Sequence, residues 1–434
     1  MRLAMNLTFK QRIIGAMLVV GLVPMTILTA VNTYFSYKSA QEMTTNGMDL
    51  VRTSIDYEIH DYFNRVKGDL LVISDNSQVH TALREFAAGV ENADLAGVAV
   101  DSAAYKARFA YQQQNTPDSK PGDEIGWQQK DAGARALQHL YISANPEKIG
   151  EKHKLEDAGV DVAYNRVHKI FHSDFKAYID QFGYYDFFLI DAASKRVVYS
   201  VYKEIDFMAR VDEGFLANTG LAKAVNRALV SSDPHAVFMA DFEPYMPSYG
   251  APAAFVAVPL IEDGKTIGAA AFQLPVDKIS AVFTKAKELG ETAEGFFFGQ
   301  DFKLRSDALT DKNLKIGTVL PERVQPILGE VFTGFDGIKS FVGHTGDEVM
   351  GSLEQVELLD GVKWGMIVKV FVSEMMAPIY KMIWITVAMV LVTAVLNALF
   401  GLWISGRLVT PVQKLARGFF SGAEKSGPEY QPSG

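Results

Sequence analysis

The sequence predicts an α+β protein: a long amino-terminal helix and two tandem antiparallel-sheet modules, flanked by two transmembrane helices. Two observations mark the flanks. Residues 13–37 and residues 382–406 each form a 25-residue run without a charged side chain, long enough to cross a bilayer core. A third marks the middle: a helical apolar period gives way to period two, and a hairpin-like stretch then occurs twice.

Each span follows from composition. Lys10 and Arg12 precede the first run, as in a signal peptide. The run is long for one and lacks a small-residue cleavage site in its first two-thirds, so a retained anchor is expected. Pro24 is tolerated inside a membrane helix. Arg2, Lys10 and Arg12 before the first span, with Arg407, Lys414 and Arg417 after the second, place both termini in the cytoplasm by the positive-inside rule. Residues 38–381 then lie outside. The chain as a whole carries −9, while segments 1–12 and 407–434 carry seven Lys or Arg against two Asp or Glu. An exported domain of strongly acidic balance argues against nucleic acid as a partner. With no cysteine, this domain is held by core packing, and thiol chemistry is excluded.

Residues 38–90 read as one helix, with Leu50, Ile55, Ile59, Phe63, Val66, Leu70 and Ile73 on its apolar face. Residues 92–126 are rich in Ala, Gln and Gly and read as loop, above all "NTPDSKPGDE". Further helix is expected at 128–142 and 160–181, and strands after that. "LIEDGKTIGAAAFQLPVDKI" (260–279) parallels "ELLDGVKWGMIVKVFVSEMM" (357–376). Each has an Asp-Gly turn (Asp263-Gly264, Asp360-Gly361), a glycine opening an apolar strand (Gly268, Gly365), and an acid nine residues later (Asp277, Glu374). An Asp-Gly pair between apolar strands is a hairpin signal, because tight turns need positive φ. "FFLIDAASKRVVYS" and "FFFGQDFKLRSD" open the two modules. "VSEMMAPIYKMIWITV" leads into the second span with little room for a flexible linker.

This order of elements resembles the double Cache sensor region of bacterial chemoreceptors, whose modules are PAS-like. The strands "GYYDFFLIDAASKRVVYSVYKEIDF", "DFEPYMPSYGAPAAFVAVPLIEDGKTIGAAAFQLPVDKI" and "GETAEGFFFGQDFKLRSD" carry the resemblance across residues 38–378. The tail "SGRLVTPVQKLARG" resembles the opening of a HAMP linker, with Pro411 at that motif's early proline. The expected organisation is a cytoplasmic segment 1–12, span 13–37, long helix and membrane-distal module 38–285, membrane-proximal module 286–378, span 382–406 and HAMP-like segment 407–434. The resemblance implies an inner-membrane receptor, a homodimer with Ile55, Ile59 and Phe63 at its interface, a small-molecule ligand in the first module, and transmission by the second. The tail ends before any output domain. Amino-acid-binding members tend to carry a Tyr-x-Asp pattern. Here "EPYMPS" has Tyr245 but Pro247 in the acid's place, which weakens the expectation of a free α-amino acid.

Candidate binding residues come from two stretches. Alternation sets Val197, Tyr199, Val201 and Lys203 on one strand face, and Val198, Ser200, Tyr202 and Glu204 on the other. Tyr202 and Lys203, at the polar end, then read as a pocket rim, or as a satisfied core ring and a solvated strand end. "ADFEPYMPSYGAP" reads as a rigid loop presenting Asp241, Tyr245, Ser248 and Tyr249, or as a stiff connection whose tyrosines pack on the module. Glu374, opening the last helix, and Pro411 are expected to transmit the signal. His168 and His172 share a helix face but lack a third ligand, so no metal is expected; His153 reads as solvated. Trp364 and Phe371 read as core. No nucleophile elbow, phosphate loop or HExxH motif occurs, so neither catalytic residues nor a cofactor are expected. The alternative function is a membrane-anchored subunit that docks a protein partner and has no ligand or output domain of its own.

Overall fold

Helix α1 runs from Phe9 to Asp75 with Pro24 inside it, in a computed structural model that describes residues 9–404, 406, 407 and 411. It ends at Asn76, whose side chain accepts from the Gln78 backbone N–H (2.8 Å) and opens α2 (Ser77–Val90). The single helix expected up to residue 90 is thus two. Asn and Ser offer the backbone a local alternative to the helical ladder. The expected loop at 92–126 is also corrected, since Ser102–Asn115 forms α3, capped by the Asp101 carboxylate on the N–H groups of Ala103 and Ala104. Ala and Gln are good helix formers. Short α4 (Asp123–Trp127) and α5 (Ala132–Gln138) follow, then α6 (Ala163–Phe182), stopped by Gly183 at φ 79°.

Two antiparallel sheets come next. The first comprises β1 (Asp186–Asp191), β2 (Val197–Ser200), β3 (Phe238–Tyr245), β4 (Ala251–Glu262) and β5 (Lys265–Gln273), in the order β2-β1-β5-β4-β3, with α7 (Gly220–Val230) inserted after β2. After α8 (Val276–Ala281) the second comprises β6 (Glu294–Phe298), β7 (Gly337–Val342), β8 (Glu348–Glu357) and β9 (Lys363–Phe371), in the order β6-β9-β8-β7, with α9 (Gln325–Gly329) inserted after β6. Helix α10 (Val372–Ile404) begins at the residue after β9. The second order repeats the first without β2, whose place is marked by a bridge from Phe298 to Leu304.

The repeated turns behave alike. Asp263, Gly264, Asp360 and Gly361 all have positive φ. The glycines that follow them are not counterparts, however. The register between β4 and β5 shifts at Leu260/Ile261, so Gly268 packs its α-carbon on Leu83 and Gly365 on the Phe298 ring. The paired positions that do correspond are Asp186 with Gln273 and Glu294 with Lys369.

In the first sheet Phe187, Leu189 and Phe272 pack with Ile59, Phe63, Leu83 and Phe86 of the helical layer, and Trp364 and Val368 of the second sheet join the same core. Trp364 is core, as expected; Phe371 is only partly buried. The opposite faces have their own cores, Phe188, Ile190 and Ala271 under α7 in one and Phe296, Phe298 and Ile367 in the other. Ile55, Ile59 and Phe63 are therefore interior residues of one chain, which corrects their expected place at a dimer interface. Leu50, expected on that apolar face, is 73% exposed.

Two strand readings change. Strand β2 stops at Ser200, and a register shift against Leu189/Ile190 puts Val198, Tyr199 and Val201 in one cluster, which breaks the expected alternation. Most of "ADFEPYMPSYGAP" is the β3–β4 hairpin rather than loop. Pro244 fits because β3 is an edge strand, where a missing N–H need not cost a ladder bond.

The described residues form two compact units, 47–371 and the remainder. In the latter, α1 and α10 are long and apolar enough to cross a membrane. Their most apolar windows reach a mean hydropathy of 2.3 and are unburied in the protein. Gly401 of α10 lies against Ile14, a close approach that small residues permit in membrane helices. The HAMP-like reading rests on a tail of which residues 408–410 and 412–434 lie outside the described residues.

Placing Ile59 in the core predicts that Ile59→Ala costs about 2–5 kcal/mol, whereas Leu50→Ala stays within about 0.5 kcal/mol. Denaturant unfolding of the detergent-solubilised chain followed by circular dichroism compares them; equal effects would refute the assignment.

Candidate functional site

The chain segment leaving β2 does not continue as a strand. Lys203 and Met208 take positive φ (53° and 70°), as does Tyr249 after β3 (56°). Such conformations cost about 1–3 kcal/mol each and persist only where surrounding structure enforces them. The enforcement is visible. Gln138 of α5 donates to the carbonyls of Ile205 (3.3 Å) and Phe207 (2.8 Å). Gln112 of α3 donates to those of Met246 (3.0 Å) and Pro247 (3.1 Å). The helix read as loop in the sequence thus clamps the turn at the end of β3.

These turns bring three carboxylates into the protein interior. Asp186, Glu204 and Asp206 are all buried. Asp186 Oδ1 accepts from the backbone N–H groups of Phe187 (2.7 Å), Val201 (2.9 Å) and Tyr202 (3.2 Å). Asp206 Oδ2 accepts from the Tyr245 hydroxyl (2.7 Å), while its Oδ1 is buried without a partner. Glu204 Oε2 accepts from Ser248 (2.9 Å), whose oxygen is approached by Gln273 Nε2 (3.4 Å).

Two buried lysines attend them. Lys203 donates to the carbonyls of Ser200 (2.7 Å) and Val201 (3.4 Å), and its ammonium stands 4.6 Å from the Tyr199 ring centre. Lys152 is buried, and no described residue forms an ion pair or hydrogen bond with its ammonium. Its nearest charges are Glu204, Arg108, Asp206 and Asp186.

Desolvation dominates the electrostatics. Burial pushes the Glu204 carboxyl up to about 7 against the opposing charge of Lys152. It pushes Asp206 up to about 6 against the hydrogen bond from Tyr245. Asp186 is raised well above the carboxylate range by burial, then by the charge of Asp206, despite its backbone hydrogen bonds. Burial pulls Lys203 down to about 7 and Lys152 to about 8, with neighbouring acids resisting. Convergent buried groups with shifted titration make this cluster the candidate functional site.

Of the residues singled out in the sequence, Lys203, Tyr245 and Ser248 lie in this cluster. Tyr249 borders it, half-buried, its hydroxyl accepting from Arg108 (3.3 Å). Tyr202 lies at the outer edge, its ring stacked on Tyr185 (5.1 Å) and beside His153 (4.4 Å). His153 is thus partly covered rather than solvated. Lys203 is neither rim nor solvated strand end.

Asp241 is elsewhere. Its carboxylate accepts from Arg305 Nε (2.7 Å) and Trp364 Nε1 (2.9 Å) of the second sheet. His168 and His172 are buried and stacked at 4.2 Å; His172 bonds the Tyr199 hydroxyl (2.7 Å) and the His153 carbonyl (2.8 Å). Among the described residues no group of three metal-ligating side chains occurs. Glu374 sits in the first turn of α10. The sequence reading did not single out Lys152, Asp186, Glu204, Asp206 or Gln273 as site residues. The available signal was one acid, Asp186, inside the aromatic run "GYYDFFLID".

A carboxyl with a raised folded pKa holds its proton more tightly when folded than when unfolded. The stability that Glu204 and Asp206 lend is therefore full below about pH 4 and is lost as pH rises through their folded values of about 6 and 7. The buried His168 and His172, whose folded values lie below the free one, act in the opposite sense over the same interval, so the contribution of the two acids is read by difference: the wild type should lose stability with rising pH relative to a variant without them. The melting temperature of the double variant Glu204→Gln/Asp206→Asn should gain on that of the wild type as pH rises from about 4 to 7; a difference that does not change with pH in differential scanning fluorimetry would remove these groups as its origin.

No family model matches the chain, and no curated protein matches it. Among solved structures it is similar to the periplasmic sensory domain of the Campylobacter jejuni chemoreceptor Tlp1, with 13% identity and a TM-score of 0.35 over 56% of this chain and 92% of that one. The ligand-binding domain of Campylobacter jejuni Tlp3 in complex with 4-methylisoleucine gives 13% and 0.34 over 63% and 95%. That of the Pseudomonas aeruginosa amino acid chemoreceptor PctC in complex with GABA gives 16% and 0.31 over 43% and 74%.

Proposed function

We propose that the protein is a membrane-anchored sensor whose first sheet binds a small extracytoplasmic molecule through a protonated amine. The observation that carries this is the surplus of buried carboxylates. Asp186, Glu204 and Asp206 converge, Asp206 Oδ1 lacks a partner, and Lys152 makes no direct ion pair. Burial favours the protonated form of each of these carboxyls, and an incoming ammonium would restore the ionised form where a neutral molecule would not. Lys152 and Arg108 are placed to receive an acidic group on ligands that carry one.

In this reading both termini are cytoplasmic, residues 38–381 are periplasmic in the bacterial inner membrane, and the chain works as a homodimer. Ligand closes the α3 and 201–210 segments over the sheet, and α10 carries the change toward a HAMP-like tail that includes Pro411. The reading assigns Tyr245 and Ser248 to orienting the carboxylates and Tyr249 to the border, and it leaves Asp241 and Tyr202 out of ligand contact.

The test is thermal shift of the full chain in detergent against amines, amino acids, organic acids and sugars. A ligand at about 100 times its Kd should add about 2.7 kcal/mol of stability. Asp206→Asn should weaken an amine at least about tenfold, or 1.4 kcal/mol. Stabilisation by organic acids or sugars but by no amine would overturn the amine reading. A flat response to every compound would favour a protein partner.

A further inference from the structure

We propose that the second sheet carries a closed counterpart of the amine site, in which the ε-ammonium of Lys369 occupies the position that the ligand's ammonium takes in the first. This rests on the reading of the first site and deepens it, since it specifies the ligand's head group.

Strand pairing makes the two positions equivalent. Asp186 is the first residue of β1 and pairs with Gln273 of β5; Glu294 is the first residue of β6 and pairs with Lys369 of β9. Both pairs alternate onto the faces turned away from the shared core. Asp186 lies in register with Phe188 and Ile190, and Glu294 with Phe296 and Phe298.

The chemistry of the acids matches as well. Each dedicates one oxygen to backbone N–H groups. Glu294 Oε1 accepts from the N–H of Thr310 (3.1 Å) and Asp311 (2.9 Å) and from the Thr310 hydroxyl, much as Asp186 Oδ1 accepts from three. The other oxygens differ. Glu294 Oε2 receives Lys369 Nζ at 2.9 Å, both side chains being nearly fully buried. No described residue donates a hydrogen bond to Asp186 Oδ2, and the residue opposite, Gln273, reaches Ser248 instead.

The titration behaviour separates accordingly. Burial tends to raise Glu294, but Lys369 and the hydrogen bonds outweigh it and hold the carboxyl below its usual value. Asp186, without such a cation in contact, is raised. A lysine ε-ammonium is an unbranched primary alkylammonium with three donors. The first site should accordingly take primary alkylammonium groups and refuse quaternary ones, which donate no hydrogen bond. The second takes no free ligand because its own side chain fills it.

The experiment is chemical rescue of Lys369→Ala in the full chain, combined with Asp206→Asn to silence the first site. That substitution removes the equivalent of n-propylammonium. Adding n-propylammonium should recover at least half of the lost melting temperature, while tetramethylammonium and 1-propanol should not. Glu294→Gln/Lys369→Met, likewise combined with Asp206→Asn and filling the space without charges, should fold and show no amine response. Should Lys369→Ala fail to accumulate, it is expressed and purified with n-propylammonium present, and yield becomes the readout. An absence of amine-dependent recovery in both yield and melting temperature overturns the proposal. Wild-type stabilisation by amines without rescue of Lys369→Ala defeats this inference alone. Rescue without any wild-type response defeats the sensing reading and leaves a self-occupied amine pocket in the second sheet.

Discussion

The burial of a carboxylate where the first strand of each sheet begins is the constraint from which the rest of residues 47–371 can be understood. A carboxylate taken out of water must gain a cation, gain hydrogen bonds or take up a proton. In the first sheet backbone N–H groups meet one oxygen of Asp186, and the positive-φ turn at Lys203 lies next to the Val201 and Tyr202 N–H groups that do so. Glu204 and Asp206 follow in the same turn and add charge to an already costly place. Tyr245 and Ser248, held by the β3–β4 hairpin, offset part of it. The clamps from Gln112 and Gln138 make sense as the means of holding this arrangement against its own repulsion.

Two solutions to one problem then stand side by side. A buried ion pair with good geometry is close to neutral for stability, whereas an unmatched buried charge is a standing cost. Glu294 with Lys369 is the former; the Asp186, Glu204 and Asp206 group escapes the latter by being pushed toward its protonated forms, which leaves its ionisation to be restored by a cation. A cost that one kind of molecule relieves becomes part of that molecule's affinity, and it discriminates by charge before shape is considered.

Much of the architecture was legible in the sequence because its signals are local. The uncharged runs and both Asp-Gly turns needed no knowledge of distant contacts, and the turns have the positive φ that their residues implied. The site was less legible because it is assembled from afar. Lys152, Asp186, Glu204 and Ser248 come from four separate segments, and nothing in the neighbourhood of Lys152 shows that it is buried. Prolines misled in one place: Pro244 and Pro252 suggested a loop, yet they pair across an edge hairpin. Composition misled in another, where α3 was hidden in an Ala- and Gln-rich stretch. The register shift at Leu260/Ile261 hid the true correspondence of the repeat, since one extra residue exchanges the two faces of a strand.

That same sensitivity to register limits how the second sheet can deform. Strand β9 is hydrogen-bonded to β6 on one side and β8 on the other, and Lys369 ties it to β6 through side chains as well. A slip of one residue would carry the Lys369 ammonium off Glu294 and onto the face that holds Trp364 and Val368, where it would meet apolar side chains without a counter-ion. The penalty for an unpaired buried charge is several kcal/mol, comparable to what a well-bound small ligand supplies. Sliding of β9 within its sheet is thus opposed more strongly than movement of the sheet as a body. Helix α10 begins at the residue after β9, so the strand held in register by Lys369 and the apolar helix are one continuous stretch of backbone.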